Sequence, residues 1–187
     1  MARLKDKYRD EIRPELMREL GLKNLLAVPR VDKIVVNMGL GDAYTDAKIL
    51  DAGMAELAAI TGQKPKVTRA RKSISGFKLR AGMVVGCTVT LRGDRMYEFM
   101  DRLLNVAIPR IRDFRGIPPD SFDGWGSFTL GIREQIIFPE VVYDNVLSPR
   151  GFNVTFVIVN GNTVEQSRAL LRAFGMPFRK LEGVAAG

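Results

Sequence analysis

The stretch VGCTVTLRG, Val85 to Gly93, is the part of the chain whose reading decides the fold. Val85, Cys87, Val89 and Leu91 alternate with Thr88, Thr90 and Arg92, and a period of two separates such residues only on an extended strand. One face is apolar and the other carries hydroxyls and a guanidinium, so the sheet should be covered on one side and wet on the other. The same pattern recurs in VDKIVVNMG, where Ile34, Val36 and Met38 alternate with Lys33, Val35 and Asn37. SFTLGI and GFNVTFVIV supply two more strands, with Phe128, Leu130 and Ile132, and Phe152, Val154, Phe156 and Ile158, on their inner faces. A shorter strand is expected from Pro65 to Arg69.

Between the strands the period changes to that of a helix. Leu4, Tyr8, Ile12, Leu16 and Leu20 form one apolar stripe near the N-terminus, with Pro14 expected to kink the helix or start a second segment. DAKILDAGMAELAAITG reads as a helix with Asp46 as N-cap and Gly62 as its stop. DRMYEFMDRLLNVAI is a third helix, ended by Pro109. Thr163 and Gln166 make a capping-box pattern that opens the last helix, which stops at Gly175 before Pro177. The expected fold is α+β, one domain over residues 1–180. Its largely antiparallel sheet has helices on one face, a polar face bearing Lys33, Asn37, Thr88, Thr90 and Arg92, and a long basic loop between two strands. Residues 181–187 are expected to be a disordered C-terminal extension.

Charge points to a partner. The chain of 187 residues has a net charge of +8 and a pI near 9.9. From Leu57 to Gly93 there is no Asp or Glu, but eight basic residues: Lys64, Lys66, Arg69, Arg71, Lys72, Lys78, Arg80 and Arg92. The other 21 Lys and Arg are matched by 21 Asp and Glu, so the whole excess lies in one window. TRARKSISGFKLRAG, Thr68 to Gly82, is its centre, with Ser73 and Ser75 able to hydrogen-bond, Phe77 able to stack, and Gly76 and Gly82 implying an adaptable, mobile loop. A membrane anchor would show bulky apolar residues in an amphipathic stripe, which this loop lacks. RNA fits better.

Other chemistries find little support. With no histidine the commonest general base is missing. Cys87 falls on the core face of its strand, as a small buried hydrophobe would, and the single cysteine leaves no disulfide framework or zinc set. The pairs Asp42 and Asp46, and Asp120 and Asp123, sit where turns and helix starts favour Asp. NMGLGD lies between a strand and a helix, as a dinucleotide-binding turn would, but Tyr44 occupies its third glycine position. No catalytic residue, metal site, cofactor or small-molecule substrate is expected. MARLKDKYRDE has no apolar run of a secretory signal, and no stretch approaches the about 20 apolar residues of a membrane span. A cytoplasmic protein without a membrane partner is the expectation.

The motifs VPRVDKIVVNMGLGD, ITGQKP, RARKSISGFKLR, VTLRGDRMYEF, PRIRDFRG, SFDG, GIREQIIFPE and FGMPFRK, in unbroken order from Leu4 to Lys180, resemble bacterial ribosomal large-subunit protein five, the 5S-rRNA-binding family of the central protuberance. The resemblance implies a structural constituent of the large subunit, with 5S rRNA, neighbouring large-subunit rRNA and proteins, the peptidyl-site tRNA and a small-subunit protein as partners. It places 5S rRNA contacts on Asn37, Gln63, Thr90 and Arg92, and by extension on Lys33, Lys64, Thr68 and Thr88. The tRNA contact falls on the loop with Arg71, Lys72, Ser73, Phe77, Lys78 and Arg80. Arg110, Arg112 and Arg115 are candidates for the intersubunit bridge. Trp125 stands where the family's pattern has Arg, and Lys66 where an apolar residue is usual. A free RNA chaperone or regulatory binder is the alternative reading, and a protein-binding role for the segment from Arg110 to Gly126 a third. Sedimentation of a cell extract separates them, because only a ribosomal protein travels with the large subunit.

Overall fold

The computed structural model describes residues 2–41, 47–141, 148–161 and 163–179. Asp42, Tyr44, Asp46, Lys180 and the tail 181–187 lie outside them. Five strands form one sheet: β1 (Arg30–Gly39), β2 (Lys66–Arg69), β3 (Val84–Leu91), β4 (Phe128–Ile132) and β5 (Phe152–Val159), in the order β2-β3-β1-β5-β4. Every neighbouring pair is antiparallel. Gly39, the first glycine of NMGLGD, is a strand residue paired with Gly86 rather than part of a phosphate-binding turn.

The alternation holds on the four long strands, on β1 from Ile34 onward. Ile34, Val36 and Met38, Cys87, Val89 and Leu91, Phe128, Leu130 and Ile132, and Phe152, Val154, Phe156 and Ile158 are all buried in one core. The helices cover that face. They are α1 (Arg3–Lys7), α2 (Arg13–Glu19), α3 (Ala47–Thr61), α4 (Gly93–Arg102) and α5 (Val164–Ala173). Tyr8 stacks on Phe174 at 5.7 Å and Phe99 on Phe138 at 6.0 Å, joining the helical layer to the chain's end and to the connection after β4.

The helix ends follow the sequence signals in most places. A π-turn (Tyr8–Ile12) links α1 to α2, and Pro14 sits at the start of α2 just past it, without breaking the helical run. Leu4, Tyr8, Ile12 and Leu16 are buried, but Leu20 is only half-buried as the helix ends. Pro109 does not stop α4 directly. A π-turn (Leu103–Ala107) and a 3-10 turn (Ile108–Arg110) carry the chain through it. Thr163 Oγ1 accepts the Gln166 N–H, as the capping pattern requires, and α3 and α5 are followed by Gly62 and Gly175.

Cys87 is fully buried, and burial pushes its thiol up to about 11. The thiolate is the reactive form. The native protein at pH 8 should therefore resist an aromatic disulfide reagent that reacts at once with the urea-unfolded chain, and Cys87→Val should leave folding and RNA binding intact. Rapid labelling of the folded protein would place the thiol outside the core.

Candidate nucleic-acid interface

The register across the sheet builds the polar face row by row. Residues directly opposite one another on paired strands share a face. Lys66 lies opposite Thr88, Thr88 opposite Asn37, Asn37 opposite Asn153, and Asn153 opposite Gly131, so one row crosses all five strands. The next row runs Thr90, Val35, Thr155, Thr129, with the two threonine hydroxyls on β4 and β5 3.0 Å apart. Neighbouring strands lie about 4.8 Å apart, which sets the spacing of these groups rigidly.

The structure brings the expected residues together. Lys33, Asn37, Thr88 and Thr90 share the face, and Arg92 extends it past the end of β3. Gln63 joins them from the turn after α3, its Nε2 3.4 Å from the Thr90 carbonyl, and Lys64 is exposed beside it. Thr68 is opposite Gly86 and so on the same side. Thr88 is partly committed, because its hydroxyl donates to the Val36 carbonyl at 3.0 Å.

Sequence reasoning missed four members of this surface. Lys66, counted in the basic window and noted as a departure from a family pattern but not placed on the face, is a face residue by its pairing with Thr88. Asn153, Thr155 and Thr129 complete the far half. Their signal was present in the alternation of GFNVTFVIV and SFTLGI, on the face opposite the phenylalanines.

A bulge supplies the face's carboxylate. Strict alternation would send Asp32 inward with Ile34. Instead the β1–β5 register shifts between Val31 and Lys33, Val31 and Ile34 are both buried, and Asp32 and Lys33 are both half-buried on the outer side. There Asp32 Oδ2 accepts from Arg92 Nη1 at 3.0 Å. Arg92 is thus ion-paired within the chain.

The basic loop is a hydrogen-bonded arm, not a slack connection. Ala70 and Gly82–Met83 form one rung, with bonds of 2.8 and 2.9 Å, and Ile74 and Leu79 exchange two more at 2.8 and 3.1 Å. Arg69 Nη1 donates to the Gly82 carbonyl, and Ser73 Oγ accepts the Ala81 N–H, so Ser73 braces the arm's two sides. A 3-10 turn (Ser75–Phe77) forms the tip, and Phe77 there is 78% exposed. Among the described residues, Arg71, Lys72, Lys78 and Arg80 have no carboxylate partner. Arg110, Arg112 and Arg115 lie elsewhere. With Phe114, Ile137 and β4 they line a groove of about 670 Å³ along the sheet edge.

Comparison with known proteins gives this surface its context. Residues 24–80 match the family model "Ribosomal protein L5", and residues 84–178 match the model of the same ribosomal family's C-terminus. The chain belongs to the ribosomal protein L5 family. It is 60% identical to "Large ribosomal subunit protein uL5" of Anaeromyxobacter sp. (strain K), over 96% of this chain and 99% of that protein. The same-named protein of Rubrobacter xylanophilus is 59% identical over the same shares. That of Desulforamulus reducens is 55% identical over 97% and 99%. The two family models meet in the arm between β2 and β3, yet those strands pair, so both matched segments contribute to one sheet. Members of the L5 family are structural ribosomal proteins, not enzymes.

Proposed function

We propose that the protein binds 5S rRNA across the polar face of its sheet and holds it in the central protuberance of the large ribosomal subunit. It is a cytoplasmic structural constituent of that subunit, with rRNA and ribosomal proteins as its partners. The observation that carries the 5S reading is the composition of the face. Its rows hold Lys, Asn and Thr side chains at fixed spacing, and Asp32, a carboxylate among them, is neutralised by Arg92. Donors held rigidly in two dimensions suit an RNA of fixed shape, read through phosphates, 2′-hydroxyls and base edges.

The arm has the other role. Four cations without carboxylate partners among the described residues and an exposed Phe77 project from the sheet, which suits the peptidyl-site tRNA, a ligand that comes and goes. Arg110, Arg112 and Arg115 beside the edge groove are the candidates for the small-subunit contact. The face's own cations, Lys33, Lys64, Lys66 and Arg92 with Arg30 at its end, bring about 4–5 phosphates into reach. The 5S rRNA affinity should therefore fall with salt at a log–log slope of roughly −3 to −5. Titration of isolated 5S rRNA between dilute and physiological salt measures it, and a flat response would count decisively against an interface built from these cations.

A further inference from the structure

Two large apolar side chains outside the arm are held in solvent by well-tied turns. Leu26 is 72% exposed and Trp125 86%. In the first turn, Asn24 Oδ1 accepts the Leu26 N–H at 2.8 Å. The Leu25 carbonyl accepts from Arg13 Nε and Nη2, and the Leu26 carbonyl accepts from Asn160 Nδ2 at 2.7 Å. In the second, Asp123 Oδ1 accepts the N–H groups of Trp125 and Ser127 at 2.9 and 2.7 Å, and the Asp123 N–H donates to the Ser127 carbonyl. Many polar groups of both turns are satisfied internally, so each turn's side chain is the part left for a partner.

The two turns meet. Asn160 holds the Leu26 turn, and the carbonyl of the next residue, Gly161, lies so close to Gly126 that a Cβ there would stand 2.8 Å from it. Both tips therefore flank the turn that leaves β5. That end of the sheet continues the polar face, since Arg30 pairs with Val159 there and Lys33 with Val157. Its surroundings are cationic. Lys23 and Arg30 are exposed without carboxylate partners among the described residues, and Arg13 gives its bonds to a carbonyl. Asp123, the carboxylate of the Trp125 turn, has one oxygen bound to the backbone of its own turn.

We infer that Leu26 and Trp125 form an apolar rim that packs on unpaired nucleobases of the RNA lying across the polar face. Cations beside apolar tips match a strand whose phosphates and base planes are presented together, and aromatic stacking is sequence-tolerant. An apolar wedge such as leucine can fill the gap beside an unstacked base. This inference rests on the 5S rRNA reading above.

Trp125 is the chain's one tryptophan, so its emission reports the rim directly. Saturating 5S rRNA should quench most of it, as stacking on a base does, and shield the remainder from acrylamide. Trp125→Ala should weaken 5S rRNA binding by about 5- to 150-fold, the range for one stacked base, and Leu26→Ala by a smaller but measurable factor, since it loses apolar contact alone. Trp125→Phe should lose much less. Both side chains are exposed, and unchanged melting of the variants checks that they fold. Binding by gel shift with unaltered emission, or wild-type affinity in either alanine variant, overturns the inference while leaving the 5S reading intact. Emission that changes only in assembled subunits hands the rim to another partner and also overturns it. Failure of gel-shift binding itself sinks the 5S reading, and this inference with it.

Discussion

Arg92→Ala is expected to weaken 5S rRNA binding by about 1–3 kcal/mol, the scale of a hydrogen bond to a charged group, while Asp32→Asn strengthens it. The opposite signs follow from the ion pair. Arg92 Nη1 sits 3.0 Å from Asp32 Oδ2, with the two side chains 57% and 35% exposed. A pair so open to water contributes little to folding, so both variants should melt near the wild-type temperature. At the proposed interface, removing Arg92 deletes a phosphate contact and also leaves a bare carboxylate on the face. Removing the Asp32 charge releases the guanidinium to the RNA. The double variant should therefore fall between wild type and Arg92→Ala. Dissociation constants for the four proteins at one salt concentration decide it. Should Asp32→Asn weaken binding as much as Arg92→Ala, the RNA recognises the intact pair and this reading of the face is mistaken.

The largest stability effect belongs to Phe128. Phe128→Ala should cost about 3–5 kcal/mol, the usual range for truncating a buried aromatic. Phe128 is fully buried at the start of β4. It meets Phe122 at 4.7 Å, Phe178 edge-on at 5.5 Å and Phe156 at 6.4 Å. These partners come from the loop before β4, the end of the chain and β5, three separate segments, so no single one can collapse to fill the space. Against a typical domain stability of about 5–15 kcal/mol the loss is severe. Urea unfolding should show a lower midpoint with an unchanged slope. A loss below about 1 kcal/mol would mean that these rings do not share one core.

How much of this was legible in the sequence depends on which interactions decide each element. Inner faces were readable because side-chain direction on a strand alternates regardless of partner. Val36, Cys87, Val154 and Phe128 all lie where that rule puts them. The rule fails at Asp32, where a bulge inserts a residue, and bulges are set by pairing with β5 rather than by local pattern. Membership of the polar face was only half readable. Lys66 and Asn153 enter it through register with Thr88 and Asn37, a relation between segments 22 and 116 residues apart along the chain. The arm misled in a different way. Glycines and charges imply slack, but the rungs at Ala70 and Ile74 come from backbone groups that every residue carries. The turn that holds Leu26 out in solvent depends on Arg13 and Asn160, side chains supplied by other elements, whereas the Trp125 turn is tied by Asp123 from within.

The central claim is that the sheet face, not the arm, is the platform for 5S rRNA. The most direct test is the affinity of a variant with Arg71, Lys72, Lys78 and Arg80 all neutralised, measured on isolated 5S rRNA at about 0.15 M salt, where distant surface charges are screened beyond about 8 Å. Those four side chains project on a braced arm with no carboxylate partner among the described residues, so their loss should leave the face unaltered. The account predicts an affinity close to wild type, with faster tRNA dissociation from the peptidyl site of ribosomes carrying the same variant. A loss of 5S rRNA affinity as large as that of Arg92→Ala would contradict it.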